Sequence, residues 1–345
     1  YHKKFRKEDA NMTIKQIAQD LNLSAGTVSK ALNDAPDISE ETKTLVCEYA
    51  KKTGYRNNKA KGNRIALLYQ FMQAKYQNQL FFSVTTAFNI AASDSRFEIV
   101  TDILANKDEK FDINDYMENH RFSGAFVLGV NFDSPIYPQL KNAKFPLVLL
   151  DMYIPSNTLL SSVGSESIAA IRSAVDYLRE MGHSKIGFLA GEQQSFVASE
   201  RFAAYILALS SAGIKFVSDY VYFGDFTKEC GVRAARHFEK TDVSAVICAS
   251  DMMAIGLIDG LKEDGIDVPD DISVIGFDDL ELLRYTNYDL TTIRQDFIKL
   301  GETAFLQLRD LIKGKSAQRI ILPCTLIKRG SVRNLNTTKP EFSEE

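Results

Sequence analysis

Between Ser24 and Asn33 the chain reads Ser-Ala-Gly-Thr-Val-Ser-Lys-Ala-Leu-Asn, in which small residues alternate with hydrogen-bonding ones. Hydroxyls, an amide and an ammonium can engage base edges or phosphates, and Ala25 and Gly26 leave room for a close approach to DNA. Thr13 supplies a further hydroxyl just upstream. Side chains suited to covalent chemistry are thinly spread. The four histidines stand at 2, 120, 183 and 237, with no pair at metal-ligand spacing. Cys47, Cys230, Cys248 and Cys324 form no Cys-x-x-Cys pair and read as reduced thiols of a cytoplasmic protein. Asp270-Asp271 and Asp278-Asp279 are adjacent pairs, which suit helix caps or ligand hydrogen bonds better than a catalytic dyad. Phosphate-loop, dinucleotide-binding, nucleophile-elbow and zinc-protease motifs are all missing. The chemistry to expect is binding: no enzyme, no metal and no cofactor.

Helices must position the polar run. Ile14, Ile17, Ala18 and Leu21 have the spacing of one helix face, with Thr13 as N-cap. Ser24 is placed to cap a second helix over 25–32. There Val28, Ala31 and Leu32 share one side, while Ala25, Gly26, Ser29, Lys30 and Asn33 lie towards the other. A short turn between such helices is the helix-turn-helix arrangement, whose second helix enters a major groove. Ser39 caps a third helix led by Glu40-Glu41, with Leu45, Val46, Tyr49 and Ala50 as its apolar face and Gly54 at its end. Pattern alone leaves a generic three-helix interaction module as the alternative.

Charge separates the alternatives in part. The total is −4, which argues against nucleic acid only if it is evenly spread. Residues 1–64 hold 13 Lys and Arg against 8 Asp and Glu, a balance of +5, and the remainder carries −9. A basic head on an acidic body is the electrostatic footprint of a DNA-binding module. The start of the chain is basic but lacks the apolar run of a secretory signal, and no apolar stretch approaches the ~18 residues of a membrane span.

From Ile65 onwards short apolar runs alternate with helical patterns. The runs cover 65–69, 97–101, 125–130, 147–151, 186–190, 220–223, 245–249 and 274–277. Continuous apolar character marks strands buried on both faces of parallel sheets. One helix is expected over 166–181, with Ile168, Ile171, Val175 and Leu178 on one face, and another over 251–263. The body is too long for one sheet, so two doubly wound lobes with a ligand cleft at the strand carboxyl ends are expected.

The segment MTIKQIAQDLNLSAGTVSKALNDAPDISEETKTLVCEYAKKTGYR resembles the DNA-binding head of the lac-repressor/GalR (LacI) family. The resemblance continues through GHSKIGFLAG, SERFAAYILALSSAG, ASDMMAIGLIDGLKEDGIDVPDDISVIGFDD and IKRGSV, and so covers the whole chain. It implies an α/β protein with a helix-turn-helix domain at 12–56, a short basic hinge at 57–64 and a periplasmic-binding-protein-like effector domain at 65–333. Lobe 1 would take about 65–161 and 294–322, lobe 2 about 163–291 and 324–333, leaving a polar tail at 334–345 without a leucine heptad. The family's hinge helix wedges a leucine into the minor groove. This linker has no leucine and carries Gly62, so the wedge is expected to be missing, with Lys59, Lys61 and Arg64 on phosphates or in the minor groove.

By the same resemblance the head's DNA-contacting residues are Thr13, Ser24, Ala25, Gly26, Thr27, Ser29, Lys30 and Asn33. The effector cleft takes Arg201 as forked donor, Asp278 and Asp151 as hydroxyl acceptors and Phe226 as stacking face, with Ser250, Phe297, Gln70 and Phe71. Ser250 stands where many members carry asparagine. Bland readings exist for each: Asp251 and Asp278 as helix caps, Phe226 as core, Arg201 as a surface ion pair, His183 as structural. The implied protein is a cytoplasmic transcriptional repressor, a homodimer on a pseudo-palindromic operator, controlled by a sugar or sugar derivative. Dimer contacts would use the 251–263 helix (Met252, Ile255, Ile258) and the 80–93 helix. A purine or nucleoside effector is the alternative, and a soluble sugar-binding protein is the alternative from another class.

Overall fold

A computed structural model describes residues 12–32, 35, 37–53, 55, 63–70, 78–104 and 111–337. The chain divides into a head that ends at Gly62 and a body that starts at Asn63.

In the head, α1 (Ile14–Asp20), α2 (Ala25–Leu32) and α3 (Glu40–Thr53) pack around Ile17, Ala18, Val28, Ala31, Val46 and Ala50. Thr13 closes a capping box: its hydroxyl accepts from the Gln16 amide while the Gln16 side chain accepts from Thr13 N–H. Ser24 caps α2 by accepting from Thr27 N–H at 2.9 Å, and Ser39 accepts from Thr42 N–H at 3.3 Å. Leu45, expected on the apolar face of α3, is 49% exposed. The buried stripe needs only Val46 and Ala50, with Tyr49 packed at its edge and bonded to Asp20.

The body contains two six-stranded sheets. The first takes β1 (Arg64–Tyr69), β2 (Glu98–Ile103), β3 (Phe122–Leu128), β4 (Leu147–Leu150), β5 (Leu160–Ser165) and β11 (Arg319–Leu322), in the order β11-β5-β4-β3-β1-β2. The second takes β6 (Ile186–Ala190), β7 (Val221–Phe223), β8 (Ala245–Cys248), β9 (Ser273–Asp278), β10 (Thr291–Arg294) and β12 (Thr325–Ile327), in the order β12-β10-β9-β8-β6-β7. All pairings are parallel except β10 with β12. Each sheet has its first strand between its second and third, so each places a switch point, and hence a crevice, at its strand carboxyl ends.

The chain crosses between lobes three times. It leaves β5 for α7 (Ser167–Glu180), leaves β10 for α11 (Phe297–Ile312), and passes from β11 to β12 through Pro323-Cys324. Lobe 1 is covered by α11, α4 (Asn78–Ala92), α5 (Ile113–Asn119) and α6 (Tyr137–Lys141). Lobe 2 is covered by α7, α8 (Phe196–Ala212), α9 (Lys228–Phe238) and α10 (Asp251–Glu263). β5 belongs to the first sheet through Ser165, so the first crossing lies slightly beyond the 161–163 expected.

Two readings of the apolar pattern need correction. Ile168 is 49% exposed, because the stripe that α7 buries runs through Ala170, Ile171, Ala174, Val175 and Leu178 and Ile168 falls at its margin. Met252 and Ile255 are 7% and 2% exposed, covered inside lobe 2, so α10 does not offer them to a partner copy. On α4, by contrast, Phe82 and Ile90 are 70% and 68% exposed.

Candidate functional site

The head presents α2. Ala25, Gly26 and Lys30 are exposed, with Thr27 and Ser29 half-buried. Thr13, Ser24 and Thr27 hydroxyls are engaged in helix capping, and Lys30 Nζ lies 2.5 Å from Asp37 in an ion pair exposed on both sides. Such a pair contributes little in water and exchanges readily for a phosphate. Asn33, Lys59 and Lys61 lie outside the described residues. Arg64 is engaged by lobe 1: it donates to His120 O at 2.9 Å, pairs with Glu98 at 3.2 Å and lies over the Phe122 ring. The expected contact of Arg64 with DNA is therefore corrected, because β1 starts at this residue and draws it into the sheet edge.

Between the lobes lies a cavity whose open space, adjoining solvent at its mouth included, is about 820 Å³. Its wall is assembled from strand carboxyl ends of both sheets: Gly129 to Asn131 after β3, Asp151 after β4, Ser250 after β8 and Asp278 at the end of β9. Arg201 from α8 and Phe226, which follows β7, complete the polar and aromatic lining. Phe226 holds a positive φ of 65°, and a Cβ at position 191 would fall on its ring, so Gly191 is what lets the ring lie flat there.

Arg201 is 4% exposed. Its Nη1 donates to Ala249 O at 2.6 Å, its guanidinium stacks 3.6 Å above the Phe277 ring, and Nη1 is 3.9 Å from Asp278 Oδ1. Arg201 Nε is buried and has no hydrogen-bond partner. Asp278, 8% exposed, also accepts from Gln295 Nε2 at 2.6 Å. Burial pushes its carboxyl up to about 6, against the downward pull of Arg201. Asp151 follows the same logic: burial raises it to about 6, while Arg201 and the Ser165 N–H, 3.3 Å away, oppose the rise.

Behind them Asp251 is fully buried and accepts from Leu280 N–H at 2.8 Å and from the Thr292 hydroxyl. Burial and the neighbouring Asp278 charge push its carboxyl well above the ordinary range. Asp251 is thus neither the simple cap it resembles in sequence nor a ligand group. It ties the start of α10 to β9 and β10, and it needs Gly276, where a Cβ would strike its carboxylate. Ser250 is the cap of α10, accepting from Met253 N–H at 3.3 Å, while also lining the cavity.

The structure thus brings together Asp151, Arg201, Phe226, Ser250 and Asp278. Gln70 and Phe297 are not in the lining. Gln70 accepts from the Ser134 hydroxyl at 2.5 Å, and Phe297 opens α11 and packs against the cores of both lobes. Phe71 lies outside the described residues. Sequence reasoning missed Phe81, Asn131, Phe196 and Met252 in the wall. The available signal was position: they follow strand ends or open helices, the places where a doubly wound fold builds its cleft. The lobes are also joined by Asn131 Nδ2 to Glu192 at 3.0 Å, Phe132 N–H to Gln194 O at 2.9 Å, and Arg319 with Glu200 at 3.3 Å.

Residues 13–58 match the model of bacterial regulatory proteins of the lacI family, and residues 175–332 match the periplasmic binding protein-like domain. The repressor CytR of Escherichia coli K12 is 31% identical over 96% of this chain and 99% of its own length. The chain belongs to the lacI family of transcriptional regulators. Other similar members are the regulator CelR of Thermobifida fusca, 28% identical over 92% of this chain and 98% of its own, and the repressor PurR of Photobacterium profundum, 28% identical over 94% and 99%. Among solved structures, that of a CelR–cellobiose complex superposes with a TM-score of 0.71 at 27% identity, covering 93% of this chain and 99% of that one. A lac repressor dimer bound to operator shares the fold, with a TM-score of 0.68 at 23% identity over 94% of this chain and 100% of that one. In this lacI-family regulator, no helix among the described residues is long and apolar enough to cross a membrane.

Proposed function

We propose that this regulator is a cytoplasmic repressor that binds a pseudo-palindromic operator as a homodimer and responds to a small polyhydroxylated ligand, a sugar or sugar derivative, in the interlobe cleft. It has no catalytic role in this reading. The single observation that carries it is the convergence of Arg201, Asp278, Asp151 and Phe226 on one apolar-walled cavity made by both sheets. A guanidinium in the wall, two acceptor carboxylates and a flat ring are the contacts that hydroxyls and one apolar sugar face require. The names CytR, CelR and PurR belong to regulators of the same architecture, and the CelR complex holds cellobiose.

On DNA, α2 would place Ala25, Gly26, Ser29 and Lys30 in the major groove, with Thr13, Ser24 and Thr27 ordering its approach. Two-fold symmetry of the protein would match two half-sites. Phe82 and Ile90 on α4 are the apolar side chains offered for a partner copy. The ligand would change operator affinity by binding one arrangement of the lobes better than the other.

The test is selection of binding sites from random DNA with the full chain. Mobility shifts on the selected site, with and without sugars and nucleosides, then follow. A specific two-half-site operator with ligand-dependent affinity is expected. Absence of any preferred site at physiological salt would overturn the reading.

A further inference from the structure

The crossings between the lobes run along one margin of each sheet. In the first sheet they use β11 and β5, and in the second β12 and β10. Other contacts between the lobes stand on strands further in. β3 lies beyond β4 from the crossing strand β5, and β6 lies beyond β9 and β8 from β10. At about 4.8 Å per strand, the loops after β3 and β6 stand about 10–14 Å from the crossings. An opening rotation of about 15° about the crossings would part these loops by about 3 Å, enough to break a hydrogen bond.

The two loops hold each other in several ways. Asn131 Nδ2 donates to the Glu192 carboxylate at 3.0 Å, a bond strengthened by the charge of its acceptor. The main-chain N–H of Phe132 donates to Gln194 O at 2.9 Å, so a backbone donor of lobe 1 is satisfied by lobe 2. The Phe132 and Phe196 rings lie 5.9 Å apart, and Phe196, the first residue of α8, packs against a core of lobe 1. Each loop is also fastened to its own lobe. Ser134 donates to Gln70 after β1, and Ser195 caps α8. Separation of the lobes must therefore break the contact between the loops. Arg319 with Glu200, by contrast, springs from β11 at the crossing margin and has little leverage on an opening.

We infer that the loops after β3 and β6 form a latch, with Asn131–Glu192, Phe132–Gln194 and Phe132–Phe196 as its parts, which holds the two lobes together apart from the covalent crossings. Asn131 and Phe196 also line the cavity, so the latch and whatever fills the cleft share residues. The latch sets the free-energy gap between the lobe arrangements, the gap that an effector must overcome or reinforce by its differential affinity. Its effect on operator affinity rests on the proposed regulatory role of the body, whereas its effect on the lobes does not.

The experiment follows amide hydrogen exchange of the full chain with no ligand added, because the Phe132 N–H reports the latch directly. Its exchange should rise at least about fivefold in Glu192→Ala, as loss of a hydrogen bond to a charged group requires. Glu192→Gln keeps an acceptor for Asn131 and should recover most of the protection. Asn131→Ala should match Glu192→Ala, and the double variant should exceed either by no more than about twofold, since both remove one bond. Amides of β6 and β8 serve as the check on folding and should keep their protection. Unchanged exchange at Phe132 in Glu192→Ala, multiplied effects in the double variant, or an equal rise in β6 and β8 would each overturn the latch. In mobility shifts on the selected operator, Glu192→Ala should change affinity at least about threefold. Unchanged affinity with lost protection overturns the regulatory role of the latch. Failure to find any operator defeats the regulator reading and leaves the exchange result standing.

Discussion

Asp151→Asn offers a sharp test, because the isostere removes a charge and little else. Asp151 holds a positive φ of 55°, a conformation that asparagine tolerates as well as aspartate does. The amide oxygen can go on accepting from Ser165 N–H, and Gly164 continues to leave it room. In the folded, ligand-free chain burial raises the carboxyl from 3.8 to about 6. Between those values the folded state binds more protons than the unfolded one, so stability falls as pH rises through the window. Two units correspond to about 3 kcal/mol at neutral pH. The carboxylate opens onto the cleft, where water screens it, so the expected gain from Asp151→Asn is about 1–2 kcal/mol at pH 7.5. That is a rise of about 2–8 °C in melting temperature. The gain should shrink as pH falls from 6 and be gone near pH 4, while ligand affinity drops at every pH. Thermal melts of both chains from pH 4 to 8 measure it. A loss of stability at pH 7.5, or a gain independent of pH, would refute the reasoning that ionised Asp151 is a cost the ligand relieves.

Three further outcomes follow from particular contacts. Lys30→Ala should weaken operator binding by about 1–3 kcal/mol in mobility shifts without altering ligand affinity, whereas Asp37→Asn, which releases Lys30 from its ion pair, should tighten it. Gly256→Ala should destabilise the effector domain by about 1–3 kcal/mol, because the new Cβ meets Lys228 O and Gly231 Cα of α9, backbone that cannot swing aside; chemical denaturation reads it. His183 donates from Nε2 to Arg333 O at 3.0 Å and accepts from the Ser244 hydroxyl at 2.9 Å, and burial holds its pKa below the ordinary 6.5. Its contribution is therefore present above pH 6.5 and lost as pH falls below it, opposite in sign to Asp151, and His183→Ala should flatten that acid limb of the stability profile.

Much of the fold was legible because two periodicities carry it. Helix spacing in 13–32 placed α1 and α2, and the capping roles of Thr13, Ser24 and Ser39 follow from side chains whose partners lie three residues away. Continuous apolar runs located β1 to β4 and β6 to β9 to within a few residues. β5 was not legible, since Leu-Ser-Ser-Val-Gly-Ser is half polar, yet every residue in it is buried between β4 and β11. β10 to β12 escaped for the same reason of length and mixed composition. In the cleft, Arg201, Asp278, Asp151 and Phe226 were named through their motifs, whereas Asn131 and Phe196 had no local mark, and Gln70 and Phe297 were misplaced by proximity to a strand or helix end.

What the sequence determined by itself was local and chemical: a capped helix-turn-helix, a basic head on an acidic body, buried parallel strands, and a chain without catalytic motifs. These depend on neighbours within a turn or a strand, so the order of residues suffices. The tertiary structure decided which charges meet. Asp151 and Arg201 are 50 positions apart and sit on different lobes, and Arg201 and Asp278 are 77 apart, so their mutual effect on protonation is invisible until both sheets are folded. Burial then turns an ordinary count of acids and bases into a cavity whose two carboxyls are raised to about 6 beside one buried guanidinium.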